Sequence, residues 1–283
     1  MYTCIDLFRG RFMLVAKVFL TAYLFWLSGE SPAAIGSERL TITGSSTIAP
    51  LAMELARAYE RAHGDKVRID VQMGGSSKGI SDTLQRRADI GMVSRALKPG
   101  EPLVAHTVAV DGIALVTHIS NPINHLTKDQ LLDIYQGKVT NWRQLGGLDR
   151  DISVVHKAAG RSTQEVFLGY LGVRNSSIRA AIIIGDNQQG IKTISGLPGS
   201  IGYVSIGSAL STPELGKSLK MLAIDGATPS YAAVKSGSYP IMRSLNFVTR
   251  DQPSGVSKRF LAFALSRKAG AIVKRQSFVP LSK

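Results

Sequence analysis

Short runs of β-branched and other apolar residues alternate along the chain with segments in which apolar side chains recur every three or four residues. The first pattern predicts buried strands, and the second predicts helices with one apolar face. The predicted strands lie at 39–43, 66–73, 90–94, 108–117, 152–156, 180–184, 201–204 and 244–249. The predicted helices lie at 48–62, 78–88, 128–136, 164–171, 188–195 and 256–265. This alternation is typical of an α/β protein.

Two of the predicted helices carry more than the periodic signal. In the first helix Leu51, Leu55 and Tyr59 fall on one face, so we expect that face to pack against a sheet. The third helix is preceded by Thr127 and carries Gln130 three residues later, which is the spacing of a capping box.

The first thirty-odd residues differ from the rest of the chain. Three basic residues precede an apolar run at 18–27, and small and polar residues follow as far as Ala33. This order is typical of a secretory signal peptide. A ten-residue apolar run is short for a membrane span, so the sequence predicts a signal peptide at 1–33, cleaved near Ala33, and a periplasmic protein; an uncleaved membrane anchor is the alternative.

Cysteine usage and charge limit the chemistry that is open to the chain. The single cysteine, Cys4, lies inside the predicted signal peptide, and no histidines or carboxylates occur at metal-ligand spacing. We therefore expect neither a metal nor another cofactor. The formal net charge is +14, which favours anionic partners. The basic residues are scattered and only 7% of the chain is aromatic, so nucleic acid is not an expected partner.

Three places share one local design, a glycine followed by hydroxyl residues where a predicted strand gives way to a helix. They lie at 44–47 (GSST), 74–79 (GGSSKG) and 160–163 (GRST). The first N–H groups of a helix lack intrahelical partners, and glycine allows close backbone approach. Each turn alone is also an ordinary helix cap. Three such turns meeting in one cleft would surround a tetrahedral oxyanion with hydrogen-bond donors.

These motifs, taken with three further stretches, resemble the phosphate-binding proteins of bacterial phosphate ABC transporters, which are periplasmic binding proteins. The further stretches are ADIGMVSR at 88–95, GKVTNW at 137–142 and GSIGY at 199–203, and the resemblance spans 40–265. It implies an α/β periplasmic-binding-protein fold of type II, with two lobes, two crossovers and the ligand in the cleft between the lobes.

The resemblance also implies a domain layout and a function. Lobe one is expected to comprise residues 37–115 and 226–283, and lobe two residues 116–225. The protein is expected to be a monomeric, non-enzymatic receptor that captures inorganic phosphate for an ABC importer and docks on its membrane permease. Two apolar patches in the C-terminal tail, at 271–273 and 278–281, are expected to pack on a lobe.

Carried over by motif, the first turn is expected to supply Ser46, Thr47 and the amide of Ile48 to the anion. Ser76 is expected to contact it from the second turn. Ser94 matches a position at a strand end where some members of the family have an aspartate that accepts the phosphate proton. Because a hydroxyl group both donates and accepts, the preference for phosphate over sulfate rests on weaker grounds here.

The third turn departs from the family pattern. The family typically has Arg-x-x-Gly-Ser-Gly-Thr, whereas this chain has Lys157 at the arginine position and Arg161, Ser162 and Thr163 after the glycine. A lysine keeps the positive charge but loses the bidentate fork of arginine. Either Arg161 reaches into the site and replaces the missing guanidinium, or its bulk alters or abolishes phosphate binding.

Three alternatives stay open at this point. The first is that the ligand is another oxyanion, such as sulfate, molybdate or arsenate. The second is that the protein is a phosphate sensor without a transport role. The third alternative is a serine hydrolase, because 75–79 matches the pattern G-x-S-x-G, whose serine position is Ser77, next to Ser76. That enzyme would need a histidine placed beside one of these two serines, and no spacing among the five histidines singles one out.

Overall fold

The computed structural model describes residues 37–281, so the predicted signal peptide at 1–33 lies outside the described residues. The strands are β1 (Glu38–Gly44), β2 (Val67–Met73), β3 (Ile90–Val93), β4 (Val104–His118), β5 (His125–Leu126), β6 (Ser153–Lys157), β7 (Ile182–Ile184), β8 (Ser200–Ser205), β9 (Leu219–Ile224), β10 (Met242–Thr249) and β11 (Val279–Pro280). The helices are α1 (Ala49–His63), α2 (Ser76–Leu84), α3 (Lys128–Tyr135), α4 (Ser162–Leu171), α5 (Asn187–Gly196), α6 (Ile206–Leu210), α7 (Tyr231–Ser236), α8 (Gly255–Ala264) and α9 (Arg267–Arg275). No helix in this range is long and apolar enough to cross a membrane.

Every predicted strand and helix has an observed counterpart, and the differences lie at the ends and among short elements. The predicted helix at 78–88 is wrong at both ends, since α2 begins at Ser76 and ends at Leu84. It ends there because Arg86 adopts a φ of +57°, which no α-helix tolerates. The capping box is confirmed: Gln130 N donates to Thr127 Oγ1 at 3.1 Å, and Thr127 N donates to Gln130 Oε1 at 2.9 Å.

The elements that the sequence pattern missed are β5, β9, β11, α6, α7 and α9. Most are short, and α9 has a strongly basic outer face that obscures its buried residues Ala269, Ile272 and Val273. The expectation that the tail packs on a lobe is confirmed for Ile272, Val273 and Phe278, which join one buried cluster, whereas Ala271 and Leu281 are exposed.

Two large clusters of buried apolar side chains divide the described chain into two lobes. One cluster includes Leu51, Phe247 and Phe260. The other includes Tyr135 and Tyr203, and its members run from Ile113 to Ile241 along the chain. The α/β fold with two lobes that the sequence predicted is thereby found. The lobe boundaries at 116 and 225 stay a prediction.

The strands are ordered β2-β1-β3-β10-β4-β8-β6-β7, and the lobes meet where β4 and β10 pass between them. The first part of β4, as far as Gly112, pairs with β10, and the part from Ile113 onward pairs with β8. Ile113 N also donates to the carbonyl of Ile241, at 2.9 Å. A Cβ on Gly112 would lie 2.5 Å from Ile206 Cδ1, so a larger residue at this crossing would displace the Ile206 side chain.

Candidate functional site

The first Gly-hydroxyl turn joins β1 to α1. Gly44 has a φ of +131°, and a Cβ there would lie 2.4 Å from the carbonyl oxygen of Met92 on β3. Glycine is therefore required for the end of β1 to lie so close to β3. Ser45 Oγ accepts from Thr47 N at 3.2 Å and donates to Ser94 Oγ at 2.9 Å, so the turn is fixed to the residue that follows β3.

The second turn joins β2 to α2 and lies beside the first. The amides of Gly74 and Gly75 both donate to the carbonyl of Gly44 at 2.9 Å. Ser76 Oγ accepts from Ser94 N at 3.2 Å. Ser94 thus contacts both turns of lobe one, and it does so with 1% of its surface exposed.

The third turn joins β6 to α4 in the other lobe and faces the second turn directly. Ser77 N donates to the carbonyl of Gly160 at 3.3 Å. Ser162 and Thr163, the first two residues of α4, are buried. The structure therefore brings the three turns together, two from one lobe and one from the other.

The side chain that links the first and third turns to Ser94 is Arg243, on β10, which the sequence analysis did not identify. Its guanidinium Nη1 donates to Thr163 Oγ1 at 2.8 Å and to Ser94 Oγ at 3.4 Å. Its Nη2 donates to Thr47 Oγ1 at 3.3 Å. Asp111 also binds this guanidinium: its Oδ2 accepts from Nε at 3.1 Å and from Nη2 at 2.8 Å.

The hydrogen bonds within this cluster leave its hydroxyl groups free to donate. Thr47 Oγ1 accepts from Arg243 and also from Asn187 Nδ2, at 3.1 Å. Ser94 Oγ accepts from Arg243 and from Ser45. An oxygen that accepts two bonds still has its own proton to donate. The site thus presents O–H donors rather than acceptors, as an oxyanion requires.

Lys157, at the end of β6, contributes a buried amine to the same place. The residue is 2% exposed, and Nζ has no hydrogen-bond partner among residues 37–281. Burial, reinforced by the charge of Arg243, lowers the Lys157 pKa to about 7. Ser162 Oγ is also buried and without a partner within that range. Two unsatisfied donors at one site are costly to bury unless a ligand accepts from them.

Arg161 lies across the mouth of the site between the lobes. A Cβ built on Gly75 would be 3.0 Å from Arg161 Cδ, and one built on Gly185 would be 3.5 Å from Arg161 Nη2. The positive charge of Arg161 is among the causes that lower the Lys157 pKa, which shows that it lies near that amine. Its guanidinium has no hydrogen-bond or ion-pair partner in the described part of the chain.

Two further predicted site residues, like Lys157, Arg161 and Ser162, lie outside this hydrogen-bond network. Ser46 is half-buried and its hydroxyl makes no bond to another residue of 37–281. The amide of Ile48 donates to the carbonyl of Ser45 at 3.2 Å, within the turn itself, and the Ile48 side chain belongs to the core of lobe one.

Further contacts between the lobes surround the turns. Arg95 Nε lies 3.0 Å from Glu165 Oε2, and Lys98 pairs with the same carboxylate. Asn187, at the start of α5, joins Thr47 of lobe one to Ser208 of lobe two, at 3.1 Å in each case. The lobes are closed on the site in this structure.

A hydrolytic site is not assembled around Ser76 or Ser77. His156 bonds to Tyr203 and Asn175, while His63, His106 and His118 have other partners. Within residues 37–281 no histidine hydrogen-bonds to Ser76 or Ser77, and no cluster of three metal-ligating side chains occurs. The G-x-S-x-G pattern here is a helix entrance without a general base.

Comparison with known proteins agrees with this geometry. The PBP superfamily domain matches residues 30–268. The phosphate-binding protein PstS of Bacillus subtilis is 32% identical over 264 residues, which cover 89% of this chain and 85% of that protein. The phosphate-binding protein PstS of Borreliella burgdorferi is 28% identical over 252 residues, 85% of this chain and 89% of that protein.

Two solved structures share the fold. A protein of Clostridium perfringens, described as a phosphate ABC transporter substrate-binding protein and solved with bound phosphate, superposes with a TM-score of 0.80 at 30% identity. It covers 87% of this chain and is itself matched over its full length. An ABC-type phosphate transport receptor of Vibrio cholerae gives a TM-score of 0.69 at 30% identity, with 86% of this chain and 100% of that chain covered.

Proposed function

The chain belongs to the PBP superfamily, among the PstS phosphate-binding proteins, and on that premise we propose that it captures inorganic phosphate between its lobes for an ABC importer. The observation that supports this best is the convergence of donors at one buried place. The hydroxyls of Thr47, Ser94 and Thr163 all accept from Arg243, and each keeps a proton to donate. Such a shell suits a tetrahedral oxyanion, each of whose oxygens needs hydrogen bonds once water is gone.

The proposed ligand groups come from both lobes. From lobe one we assign Thr47, Ser76, Ser94 and the turn that contains Ser46 and Ile48. From lobe two we assign Lys157, Arg161, Ser162 and Thr163. Arg243, on the crossing strand, contributes its positive charge and orients the hydroxyls, since its five N–H groups already have partners. Binding groups divided in this way favour the closed arrangement whenever an anion is present.

In this proposal Arg243 is the central guanidinium, a role that one of the two interpretations of the third turn assigned to Arg161. A buried guanidinium is already fixed in the cluster by Asp111, so the loss of an arginine at Lys157 does not leave the site without one. Arg161 then adds a second guanidinium at the mouth of the site. In this role Arg161 contacts the bound anion and supplements Arg243, which it does not replace.

A second ligand class is supported by Ser94. The carboxylate that touches the cluster is that of Asp111, and its two oxygens accept from Arg243 and from Gly207 N, at 3.2 Å. These bonds hold the Asp111 carboxylate against Arg243, while Ser94 offers a hydroxyl rather than a carboxylate to the proton of a phosphate P–OH group. Sulfate, molybdate and arsenate therefore stand as alternative ligands for the same donors.

The remaining assignments follow from the family. We propose that the protein is non-catalytic and cofactor-free, is exported to the periplasm after cleavage near Ala33, acts as a monomer and delivers its ligand to a membrane permease. A sensor without a transport role uses the same site, and it is distinguished by the lack of a permease that accepts the loaded protein.

The test is a calorimetric and thermal-shift titration of the purified protein with phosphate, arsenate, sulfate and molybdate. Ligand at about 100 times Kd adds about 2.7 kcal/mol of stability when it binds only the folded state. We expect saturable binding of phosphate with one site per chain. A protein that responds to none of the four oxyanions is not a receptor of this class.

A further inference from the structure

Among the groups of the proposed site, the Lys157 amine has the surroundings least favourable to a positive charge. Nζ is buried at the end of β6 and has no hydrogen-bond partner among residues 37–281. An ammonium group in such a place has lost its water and gained no acceptor. The charges of the neighbouring residues decide whether Lys157 Nζ stays protonated.

The charged groups that face Lys157 come from three elements, and most of them are positive. Arg243 on β10 and Arg161 at the start of α4 both oppose a further positive charge. Asp186, which caps α5, favours it, but its Oδ1 already accepts from Gln189 N at 2.9 Å. Asp111 is paired with Arg243 at 2.8 Å and neutralises that guanidinium rather than the amine.

The titratable neighbours on β6 and β8 stay neutral. His156 Nε2 donates to Asn175 Oδ1 at 2.8 Å, so its Nδ1 is the acceptor from Tyr203 OH, at 2.9 Å. Burial lowers the pKa of His156, which is therefore uncharged above neutral pH. Tyr203 OH in turn accepts from Lys157 N at 3.3 Å. Lys157 is the group in this cluster that changes charge near neutral pH.

We propose that capture of phosphate takes up a proton on Lys157 Nζ, so that loading of the site is linked to pH. The inference rests on the proposed phosphate-binding function. A neutral amine, one proton from solvent and the phosphate dianion give an ammonium group hydrogen-bonded to the dianion, and no covalent bond changes. The anion supplies both the missing acceptor and the missing negative charge, and the low pKa of the empty site supports this coupling.

The sign of the pH dependence follows from the proton balance. The bound state holds one proton more than the empty state at pH values between the Lys157 pKa of the empty site, about 7, and the higher pKa that the amine has beside the bound anion. Affinity for the dianion therefore falls as pH rises through this window, approaching about tenfold per pH unit. A site of fixed guanidinium and hydroxyl groups shows no such fall.

The experiment is calorimetric titration of the purified protein with inorganic phosphate in buffers of different ionisation enthalpy, between about pH 7 and pH 9.5. The slope of observed enthalpy against buffer enthalpy gives the protons taken up. We expect uptake that rises with pH and exceeds about half a proton per phosphate at the upper end. Lys157→Arg, whose charge is fixed, should abolish the uptake, and the exposed Lys192→Arg should leave it unchanged.

The outcomes separate this inference from the proposed function. Phosphate binding without proton uptake, or uptake that persists in Lys157→Arg, overturns proton linkage and leaves phosphate capture standing. No phosphate binding by the wild type overturns both. If Lys157→Arg does not fold or bind, ¹⁵N NMR of the wild-type lysine Nζ groups decides. We expect one amine that titrates near neutral pH when empty and stays an ammonium group with phosphate; lysines that all ignore phosphate overturn the inference.

Discussion

Arg243 and Asp111 lie opposite each other on β10 and β4, and their side chains form an ion pair of 2.8 Å in which each is 1% exposed. Asp111 precedes Gly112, where β4 leaves lobe one, and Arg243 follows Ile241, where the chain returns. The guanidinium in the middle of the site is thus fixed to the two crossings between the lobes. Arg243, which the proposed function places at the centre of the site, and the strands that connect the lobes are therefore one structural unit.

Replacing Arg243 tests this unit. Arg243→Met is expected to abolish stabilisation by phosphate and to lower the free energy of unfolding by about 3–5 kcal/mol, because the Asp111 carboxylate is left buried without a partner. Urea unfolding and calorimetry measure the two effects. Arg243→Met combined with Asp111→Asn should regain stability without regaining binding, and the exposed Arg250→Met should change neither. Unaltered phosphate affinity in Arg243→Met would remove Arg243 from the site.

A substitution at Gly75 tests whether phosphate binding needs the close contact between the lobes. Gly75 has a φ of +93°, and a Cβ there would lie 3.0 Å from both Arg161 Cδ and the Gly160 carbonyl of the other lobe. Gly75→Ala is therefore expected to weaken phosphate binding more than about tenfold, through strain of about 1–3 kcal/mol and a steric clash between the lobes. Gly100→Ala is the matched control, since Gly100 has a φ of +86° with nothing within 4 Å. Equal losses of affinity in the two variants would show that the contact between the lobes is unimportant.

Ser94 tests the choice of anion. Ser94→Asp places an acceptor beside the anion, which suits the P–OH group of phosphate and repels fully ionised sulfate. The ratio of sulfate Kd to phosphate Kd should rise at least about tenfold in competition experiments, and Ser94→Ala should weaken both anions alike. A wild-type protein that already excludes sulfate as strongly as Ser94→Asp does would contradict this account.

A substitution at Lys157 tests how much the buried amine destabilises the phosphate-free protein. The Lys157 pKa in the folded protein is about 7, below the unfolded value of about 10.4, so the unfolded chain holds more protons between these limits. The contribution of this group to stability therefore rises with pH across that window and is least favourable below it. Lys157→Met should raise the Tm of the phosphate-free protein by about 5 °C at pH 7 and remove stabilisation by phosphate. Differential scanning calorimetry measures this, with exposed Lys192→Met as control; a lower Tm would refute the argument.

The sequence predicted the three turns because their pattern is local. A glycine, hydroxyl residues and the start of an apolar period at 44–47, 74–79 and 160–163 suffice to indicate three helix entrances. Their convergence depends on which strands neighbour one another. The order of the strands is set by packing across the whole sheet, and only the resemblance to a known family indicated it in advance.

Arg243 and Asn187 were missed for different physical reasons. Arg243 follows the apolar pair Ile241 and Met242, and its importance depends on the register of β10 against β4, which periodicity does not encode. Asn187 had a usable signal, since Gly185 and Asp186 precede it at the end of a predicted strand. That is a fourth glycine-to-helix entrance, with amide and carboxylate groups where the other three have hydroxyls.

The most direct measurement of the central claim is a crystal structure of the protein grown with phosphate. We expect one phosphate ion enclosed by the lobes, within hydrogen-bond distance of Lys157 Nζ, Ser162 Oγ and the hydroxyl of Ser94, with Arg243 still paired to Asp111. A phosphate ion bound elsewhere on the chain, with the Lys157 amine and the Ser162 hydroxyl left without a partner, would contradict it.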